Sequence, residues 1–197
     1  MRRVLFCLPV LLFLTGCEAI PFARELESTM LVQVLGVDWT DDGITLTAAC
    51  DPENSEEDCV PVLSASGKDL AEAEANLKGA GEEYVSLTHT TQLVLGEATD
   101  IHAVLEAALE EPALGQTATV WLSQTGDARD LLERVNGGAK RLSSIELNSP
   151  GVVPVTVLQS LMHLEEKGVV ELPLLTAEGE TLVPAGIKQI LEEDHGT

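Results

Sequence analysis

The sequence has few aromatic residues and few basic residues. Only six of its 197 residues are Phe, Trp or Tyr, so a platform on which nucleic-acid bases could stack is not expected. Eleven Lys and Arg residues stand against 33 Asp and Glu, and the net charge is −22. Such a polyanion repels nucleic-acid phosphates and anionic lipid head groups. The composition argues against a nucleic-acid partner and against membrane binding by charge.

Signatures of catalysis and of metal binding are also missing. The chain has no G-x-S-x-G, S-x-x-K, H-E-x-x-H, G-x-G-x-x-G or P-loop motif. Its acidic segment Asp51–Asp58 has Glu56 where an EF-hand calcium loop needs glycine, so it is interpreted as a solvated loop. The histidines form no i,i+4 pair; they are His89, His102, His163 and His195. The sequence predicts no catalytic residue, no metal and no cofactor.

What the chain does have is the pattern of a lipoprotein export signal. A basic start at Arg2-Arg3 precedes the apolar run Val4–Leu14, which is followed by Thr15-Gly16-Cys17. These eleven apolar residues are about half of the ~20 that a membrane-spanning helix needs. We therefore predict a signal peptide over residues 1–16, with Cys17 as the lipidation site and mature N-terminus. The alternative is an ordinary secretory signal in which a cysteine follows the cut.

A lipidated Cys17 would supply the membrane attachment that the charge of the chain opposes. Without Arg2 and Arg3, nine basic residues stand against 33 acidic ones, a net charge of −24. Two or more acyl chains, at about 0.8 kcal/mol per buried CH₂, anchor a protein stably. Residues 17–23 are predicted to be a tether that holds the acidic body off the lipid surface.

Two further cysteines bracket the acidic loop. Cys50 and Cys59 are close in sequence, and in an exported protein such a pair indicates a disulfide. This disulfide would contribute at most about 3 kcal/mol. Two reduced thiols, in a weakly oxidising setting, are the alternative.

Six segments are predicted to be β-strands. Ile44 to Ala48 alternate apolar and polar residues after the Asp42-Gly43 turn, which is typical of a hairpin strand with one solvated face. The predicted strands are Met30–Val37, Ile44–Ala48, His89–Leu95, Thr117–Ser123, Val169–Leu174 and Thr181–Val183.

Four segments have the apolar spacing of helices. Asp127 is predicted to cap the third helix, and Pro154 to be the first residue of the fourth. The helices are predicted within Lys68–Tyr84, over Ile101–Leu109, from Asp127 to Gly137, and from Pro154 to Gly168. Because strands and helices alternate through the middle of the chain, we predict an α/β or α+β fold: one domain with a mixed β-sheet packed by helices.

An ordered string of short segments resembles the N-terminal domain of the spore germinant receptor C subunit, the Ger(x)C lipoprotein family of endospore-forming bacteria. The order and spacing of the segments over residues 14–191 carry the resemblance, since no single segment is specific. After the lipobox at Cys17, the segments are Arg24-Glu25-Leu26, Gly36-Val37-Asp38, Asp42–Thr47, Ser66-Gly67, His89–Glu97, Leu172–Leu175 and Pro184–Lys188.

The resemblance implies a domain over residues 24–191, followed by a polar tail over residues 192–197. It also implies a non-enzymatic, lipid-anchored subunit on the outer face of the spore inner membrane, working with integral membrane subunits of A and B type. The family usually has a Trp-Asp pair after the lipidated cysteine, where this chain has Glu18-Ala19-Ile20. It also usually continues into further domains, so this chain is expected to be a stand-alone first domain or a divergent relative.

A second function class remains open from the sequence alone. An exported envelope lipoprotein could use the same anchor while binding a small ligand, or acting as an enzyme, in a role unrelated to germination. A pocket with convergent polar groups would favour that alternative.

Overall fold

A seven-stranded mixed β-sheet forms the centre of the protein in the computed structural model, which describes residues 29–50, 62–81, 84–110, 114–136, 138–149 and 151–192. The strand order is β4-β3-β2-β6-β7-β8-β9, and β1 and β5 form a separate two-stranded parallel sheet. The strands are β1 (Thr29–Leu31), β2 (Val34–Thr40), β3 (Gly43–Ala49), β4 (Val62–Gly67), β5 (Tyr84–Ser86), β6 (Gln92–Leu95), β7 (Thr119–Ser123), β8 (Val169–Glu178) and β9 (Thr181–Leu191).

The four central strands of the large sheet, β2, β6, β7 and β8, run parallel. The β2–β3–β4 hairpins extend one side and the β8–β9 hairpin extends the other, all antiparallel. The connection from β6 to β7 crosses over through a helix, as parallel neighbours require. As a result, the ends of β2, β6 and β7 lie together at one edge of the sheet, here called the carboxyl edge.

Helices cover both faces of the sheet and create two cores. The core on one face contains side chains of α1, α2 and α5 and is apolar; we call this side the apolar face. The core on the other face contains side chains of α3 and α4; we call this side the mixed face. The helices are α1 (Leu70–Ala80), α2 (Ile101–Glu110), α3 (Ala128–Arg134), α4 (Ala139–Asn148) and α5 (Val157–Lys167).

Alternation along the strands assigns side chains to the two faces. In β7, Val120 and Leu122 belong to the core of the apolar face, while Trp121 belongs to that of the mixed face. Successive side chains of a strand point to opposite sides, so Thr119 and Ser123 share the side of Trp121. All five residues are buried. The strand therefore presents a purely apolar side to α2 and α5 and a partly polar side to α4.

A hydrogen-bonded network satisfies the buried polar groups of the mixed face. Trp121 Nε1 donates to Gln92 Oε1 at 2.6 Å, and Gln92 Nε2 donates to Glu146 Oε2 at 2.8 Å. The hydroxyl of Thr119 donates to Glu146 Oε1 at 2.8 Å. Glu146 lies on α4, so its carboxylate holds this helix against β6 and β7. A buried polar group without such a partner would cost about 1–3 kcal/mol.

The predicted fold class is confirmed: the domain has a mixed sheet packed by helices. The prediction of one strand over Met30–Val37 is wrong, because this segment forms two strands, β1 and β2, that belong to different sheets. The other five predicted strands and the four predicted helices are present, although their ends differ. The closing strands are longer than predicted, reaching Glu178 and Leu191. Beyond the predictions, the chain also forms β4, β5 and α4.

The predicted start of the last helix at Pro154 is wrong. Helix α5 begins at Val157 and is preceded by a capping box, in which Thr156 and Gln159 bond each other's backbone N–H groups. Pro154 lies in an extended segment instead, where the carbonyl of Val155 accepts a hydrogen bond from Val120 N at 2.9 Å. The capping box, which satisfies two backbone donors at once, outweighs the preference of proline for the first helical position.

The predicted solvated face of β3 is present only in part: Thr45 is half-exposed, but the face is covered farther along the strand. Thr47 is fully buried on this face, and its hydroxyl lies 3.0 Å from that of Ser64 on β4. Helix α3 packs over this part of the sheet: a side chain at Gly36, which pairs with Thr47, would run into Leu132 and Ala128. Alternation in the sequence shows which side of a strand is polar, but not whether that side is exposed to solvent. Here a helix covers part of the polar side.

None of the described helices exceeds 11 residues, and none could cross a membrane.

Candidate functional site

Asp38 is the most unusual residue of the carboxyl edge, because its charged side chain is 9 % exposed. Its Oδ1 accepts a hydrogen bond from the backbone N–H of Ala128 at 2.7 Å, and its Oδ2 accepts one from Arg129 at 3.1 Å. These amides belong to the first turn of α3, where N–H groups have no partner within the helix. Asp38 thus caps a helix that begins 90 residues later in the sequence.

The helix was predicted to be capped by Asp127, and this residue does occupy the N-cap position. Its side chain, however, makes no capping hydrogen bond. Asp38 satisfies the amides from the neighbouring strand instead, so a tertiary contact replaces the local cap.

Two effects act in opposite directions on the charge of Asp38. Burial raises the pKa of the Asp38 carboxyl above its ordinary value of 3.8, while the amide hydrogen bonds from Ala128 and Arg129 lower it. The nearby carboxylates of Asp127 and Asp130 raise the pKa further. Burial is the largest effect, and the net shift is upward.

Gly96 provides the space for this carboxylate. A β-carbon added to Gly96 would overlap Oδ1 of Asp38. The loop that follows β6 can therefore approach Asp38 only because residue 96 has no side chain. Together, Asp38, Gly96 and the start of α3 form a structural contact that joins β2, β6 and α3.

A second contact joins the loops that follow β6 and β7. The backbone N–H of Glu97 donates to the carbonyl of Gly126 at 3.0 Å, and Glu97 Oε2 accepts from the N–H of Gly126 at 3.0 Å. Gly126 has a φ of +74°, in the left-handed region that glycine adopts without strain. The two loops are thus fixed relative to each other at the carboxyl edge.

Beside these contacts lies an open cleft of about 640 Å³. It is bounded by the end of β2, the loop and first two turns of α2, and the end of β9. The residues that line it are Trp39, Thr40, Asp41, Ala98, Thr99, Asp100, Ile101, His102, Ala103, Glu106, Ile190 and Leu191.

Hydrogen bonds fix the wall of the cleft to β2. The hydroxyl of Thr99 donates to the carbonyl of Val37 at 3.0 Å and accepts from the N–H of Trp39 at 3.3 Å. The N–H of Asp100 donates to the carbonyl of Trp39 at 2.9 Å, and its side chain caps α2 by accepting from Ala103 N at 3.0 Å. The cleft is therefore built from ordered backbone, with Trp39 half-buried beside it.

The histidines lie in three separate places. His89 is exposed in the turn before β6, rather than within a strand as its predicted position implied. His102 lines the large cleft, and its Nδ1 lies 3.5 Å from Oε1 of Glu106. His163 lines a smaller, mainly apolar groove beside β8. Among the described residues, no group of His, Cys, Asp and Glu could hold a metal ion.

The predicted lipidation site and the predicted disulfide are not tested by the structure. Cys17, the signal, the tether, Cys59, His195 and residues 193–197 lie outside the described residues. Cys50 is buried directly after β3. The disulfide between Cys50 and Cys59 stays a prediction.

Trp39, Asp100 and Glu106 were not predicted to be site residues from the sequence, and Asp38 was given no role. Trp39 lies near the end of β2, and Asp100 lies in the turn after β6. Position at the carboxyl end of a parallel strand is the signal that could have found them. Using that signal requires knowing that β2 and β6 are parallel neighbours, which depends on the strand order.

Residues 23–177 match the family model described as the spore germination protein N-terminal domain. This match covers more than half of the 197 residues. The chain belongs to this family. Membership confirms the resemblance to the germinant receptor C subunit and establishes a role related to spore germination. Asp38, Gly96 and ten of the twelve residues that line the cleft lie within the matched residues, whereas Ile190 and Leu191 lie beyond them.

Neither the curated proteins nor the solved structures include a match to this chain.

Proposed function

We propose that the chain is a lipid-anchored, non-enzymatic subunit of a spore germination receptor. In this proposal Cys17 carries the lipid and holds the germination domain on the outer face of the spore inner membrane. The domain acts by contact with integral membrane subunits of A and B type. The match of residues 23–177 to the germination family is the observation that carries the proposal.

The N-terminal sequence and the charge of the chain support the anchor. The apolar run Val4–Leu14 is too short to span a bilayer, and small residues precede Cys17. Because 33 acidic residues outnumber 11 basic ones, the folded body has no electrostatic attraction to anionic lipid. An acyl anchor would also raise the effective concentration of the domain for a membrane partner, without requiring a tight interface.

The described contacts of Asp38, Asp100 and Glu146 support a role in binding rather than in catalysis. Both oxygens of Asp38 are engaged by helix amides, and Asp100 caps α2. The carboxylate of Glu146 is engaged by Gln92 and Thr119. These acidic groups have structural roles that explain their positions.

Replacing the lipidated cysteine tests the anchor. Cys17→Ala should release the protein from the membrane fraction or leave it unprocessed, since alanine cannot form the thioether. Cys7→Ala is the matched control, because Cys7 lies within the apolar run. Mass spectrometry should find a diacylglycerol-modified Cys17 peptide in the wild type and in Cys7→Ala. Unchanged membrane binding and processing of Cys17→Ala would contradict the anchor.

Isolating the complex tests the partners. The wild-type chain, solubilised from spore membranes in mild detergent, should retain multi-span membrane proteins on an affinity resin. Spores lacking the chain should germinate poorly with some germinants, and Cys7→Ala should restore germination while Cys17→Ala should not. Normal germination without the chain, for every germinant tested, would contradict the receptor assignment.

Histidine substitutions test the absence of catalysis. His89→Gln, His102→Gln and His163→Gln should change function only as far as they change stability, measured by thermal melting of each variant. A purified chain that converts a substrate, and loses this activity on one substitution while keeping its melting temperature, would overturn the non-enzymatic assignment.

A further inference from the structure

The large cleft lies where the topology of the sheet favours a ligand. β2 continues by a hairpin to β3 on one side, whereas β6 continues through α2 to β7 on the other side. The two connections diverge from neighbouring parallel strands, and such a switch point opens a crevice outside the carboxyl ends of the strands. The cleft is lined by residues 39–41 from one connection and 98–103 from the other.

The lining of the cleft is complementary to a cation. Three carboxylates border it, from Asp41, Asp100 and Glu106, and none of the twelve described lining residues is Lys or Arg. Glu106 is exposed, with 64 % of its side chain accessible. His102 is the other titratable lining residue, and it lies next to Glu106.

Trp39 adds an aromatic wall to these charges. It packs against the apolar core on one side and lines the cleft on the other. The second tryptophan, Trp121, is fully buried and bonded to Gln92. Indole is the most favourable aromatic partner for an ammonium group.

The cleft is also preformed and of suitable size. Thr99 and Asp100 tie its loop to the backbone of β2 through the hydrogen bonds described above. Its volume of about 640 Å³ lies within the range of small-molecule sites, roughly 300–1,000 Å³. A ligand would therefore find the wall already ordered.

We propose that this cleft binds a small molecule through an organic ammonium group, placed between the indole of Trp39 and the carboxylates of Asp41 and Glu106. The apolar part of the ligand lies against Ile190 and Leu191. This inference goes beyond the proposed function, because neither family membership nor the anchor assigns a ligand to the domain.

Choline and its uncharged isostere 3,3-dimethyl-1-butanol provide a matched pair of probes. The full chain, solubilised in detergent at physiological salt, is titrated with each probe in a calorimeter. Choline should bind saturably, and the uncharged isostere about tenfold more weakly or not at all, since it lacks the cation–π and carboxylate attractions. Sodium acetate is a third probe, because the start of α2 in the cleft is where an anion would bind.

Two variants locate the binding within the cleft. Asp41→Asn with Glu106→Gln should weaken choline binding about tenfold, by removing two exposed carboxylates. Trp39→Leu should weaken it about fivefold by removing the aromatic ring, with thermal melting to confirm folding. Glu133→Gln with Glu180→Gln is the control: both residues are exposed on other surfaces, and the change in net charge is the same.

Each outcome decides for or against the proposal. Choline binding that is lost in the cleft variants and kept in the control supports it. An equal loss in the control would show that net charge, not the cleft, attracts the cation. Equal binding of choline and its isostere, preferential binding of acetate, or no saturable choline binding would each overturn the proposal.

Discussion

The two faces of the central sheet are stabilised in different ways. On the apolar face, α1, α2 and α5 bury mainly hydrocarbon against the strands, and the burial of Leu93, Leu95 and Leu105 is complete. On the mixed face, α3 and α4 are positioned by individual carboxylates, the buried Asp38 and the half-buried Glu146. Apolar contact is non-directional and tolerates small shifts. These two carboxylates instead require hydrogen-bond donors at particular positions. The mixed face therefore fixes the positions of its helices on the sheet more strictly than the apolar face does.

The largest effect is expected from the apolar face. Leu105→Ala should lower the free energy of unfolding by about 3 kcal/mol, through lost burial and the cavity left behind. Leu109→Ala on the same helix, at a residue that is 44 % exposed, is the control and should cost much less. Chemical denaturation measures both. Equal losses of unfolding free energy in the two variants would mean that α2 does not pack on the sheet through the side that carries Leu105.

A second substitution should reveal the directional character of the mixed face. Glu146→Ala removes the acceptor for Gln92 and Thr119, and should cost about 2 kcal/mol because buried donors are left unsatisfied. Its neighbour Leu147 is 81 % exposed, so Leu147→Ala is a near-neutral control. In a double-mutant cycle with Gln92→Leu, the two losses should not add. Additive losses would show that the hydrogen bond between Glu146 and Gln92 is not important for stability.

Glycine substitutions test the contact between Asp38 and α3. Gly96→Ala should cost about 2 kcal/mol, because the new β-carbon displaces the carboxylate from the amides of α3. Gly79→Ala is the matched control: it lies in α1 with open space around it, and should stabilise the protein by up to about 1 kcal/mol. If Gly96→Ala destabilises the protein no more than the control does, the close approach of the loop after β6 to Asp38 does not contribute to stability.

The smallest expected effect is a pH dependence. Since the pKa of Asp38 is raised in the folded state, the folded protein binds this proton more tightly than the unfolded chain does. The unfolding free energy of the wild type should therefore fall, relative to Asp38→Asn, as pH rises from the ordinary value of 3.8 through the raised pKa. At pH values above the raised pKa, the difference in unfolding free energy between the wild type and Asp38→Asn should be constant. A rise instead of a fall would show that the amide hydrogen bonds outweigh burial.

Much of the apolar face could be predicted from the sequence, because its signals are local. Five residues repeat at helical spacing, and all but the last, which is 44 % exposed, are buried in the structure: Ile101, Val104, Leu105, Ala108 and Leu109. The alternation of Ile44 to Ala48 likewise predicted a strand that is present. Periodicity identifies an element and its buried side from neighbouring residues alone.

The mixed face could not be predicted in the same way, because its contacts join distant parts of the chain. Asp38 and Ala128 are 90 residues apart, and Glu146 and Gln92 are 54 residues apart. Thr47 was predicted to lie on a solvated face, yet it is buried, as are the polar residues Gln92 and Thr119. Helix α4 was missed because its own sequence is weakly apolar, and it is seated mainly by Leu142, Ile145 and Glu146.

Predicting the cleft from the sequence would have required the same knowledge of which distant segments lie together. Trp39 and His102 are far apart in sequence, and neither belongs to a recognised motif. They line the same cleft because β2 pairs in parallel with β6, the strand that precedes α2. The family resemblance placed Asp38 in a shared segment, but only the structure shows it bonded to α3.

The outer strand β9 determines whether copies of this protein can associate edge to edge through their sheets. β9 is the outer strand of the large sheet, and over 11 residues its free side would otherwise present a long row of backbone groups to another molecule. Pro184 lacks an N–H, Gly186 has a φ of +130°, and Lys188 adds an exposed charge. Such interruptions oppose strand-to-strand polymerisation. Copies of this protein should therefore not join strand to strand through β9.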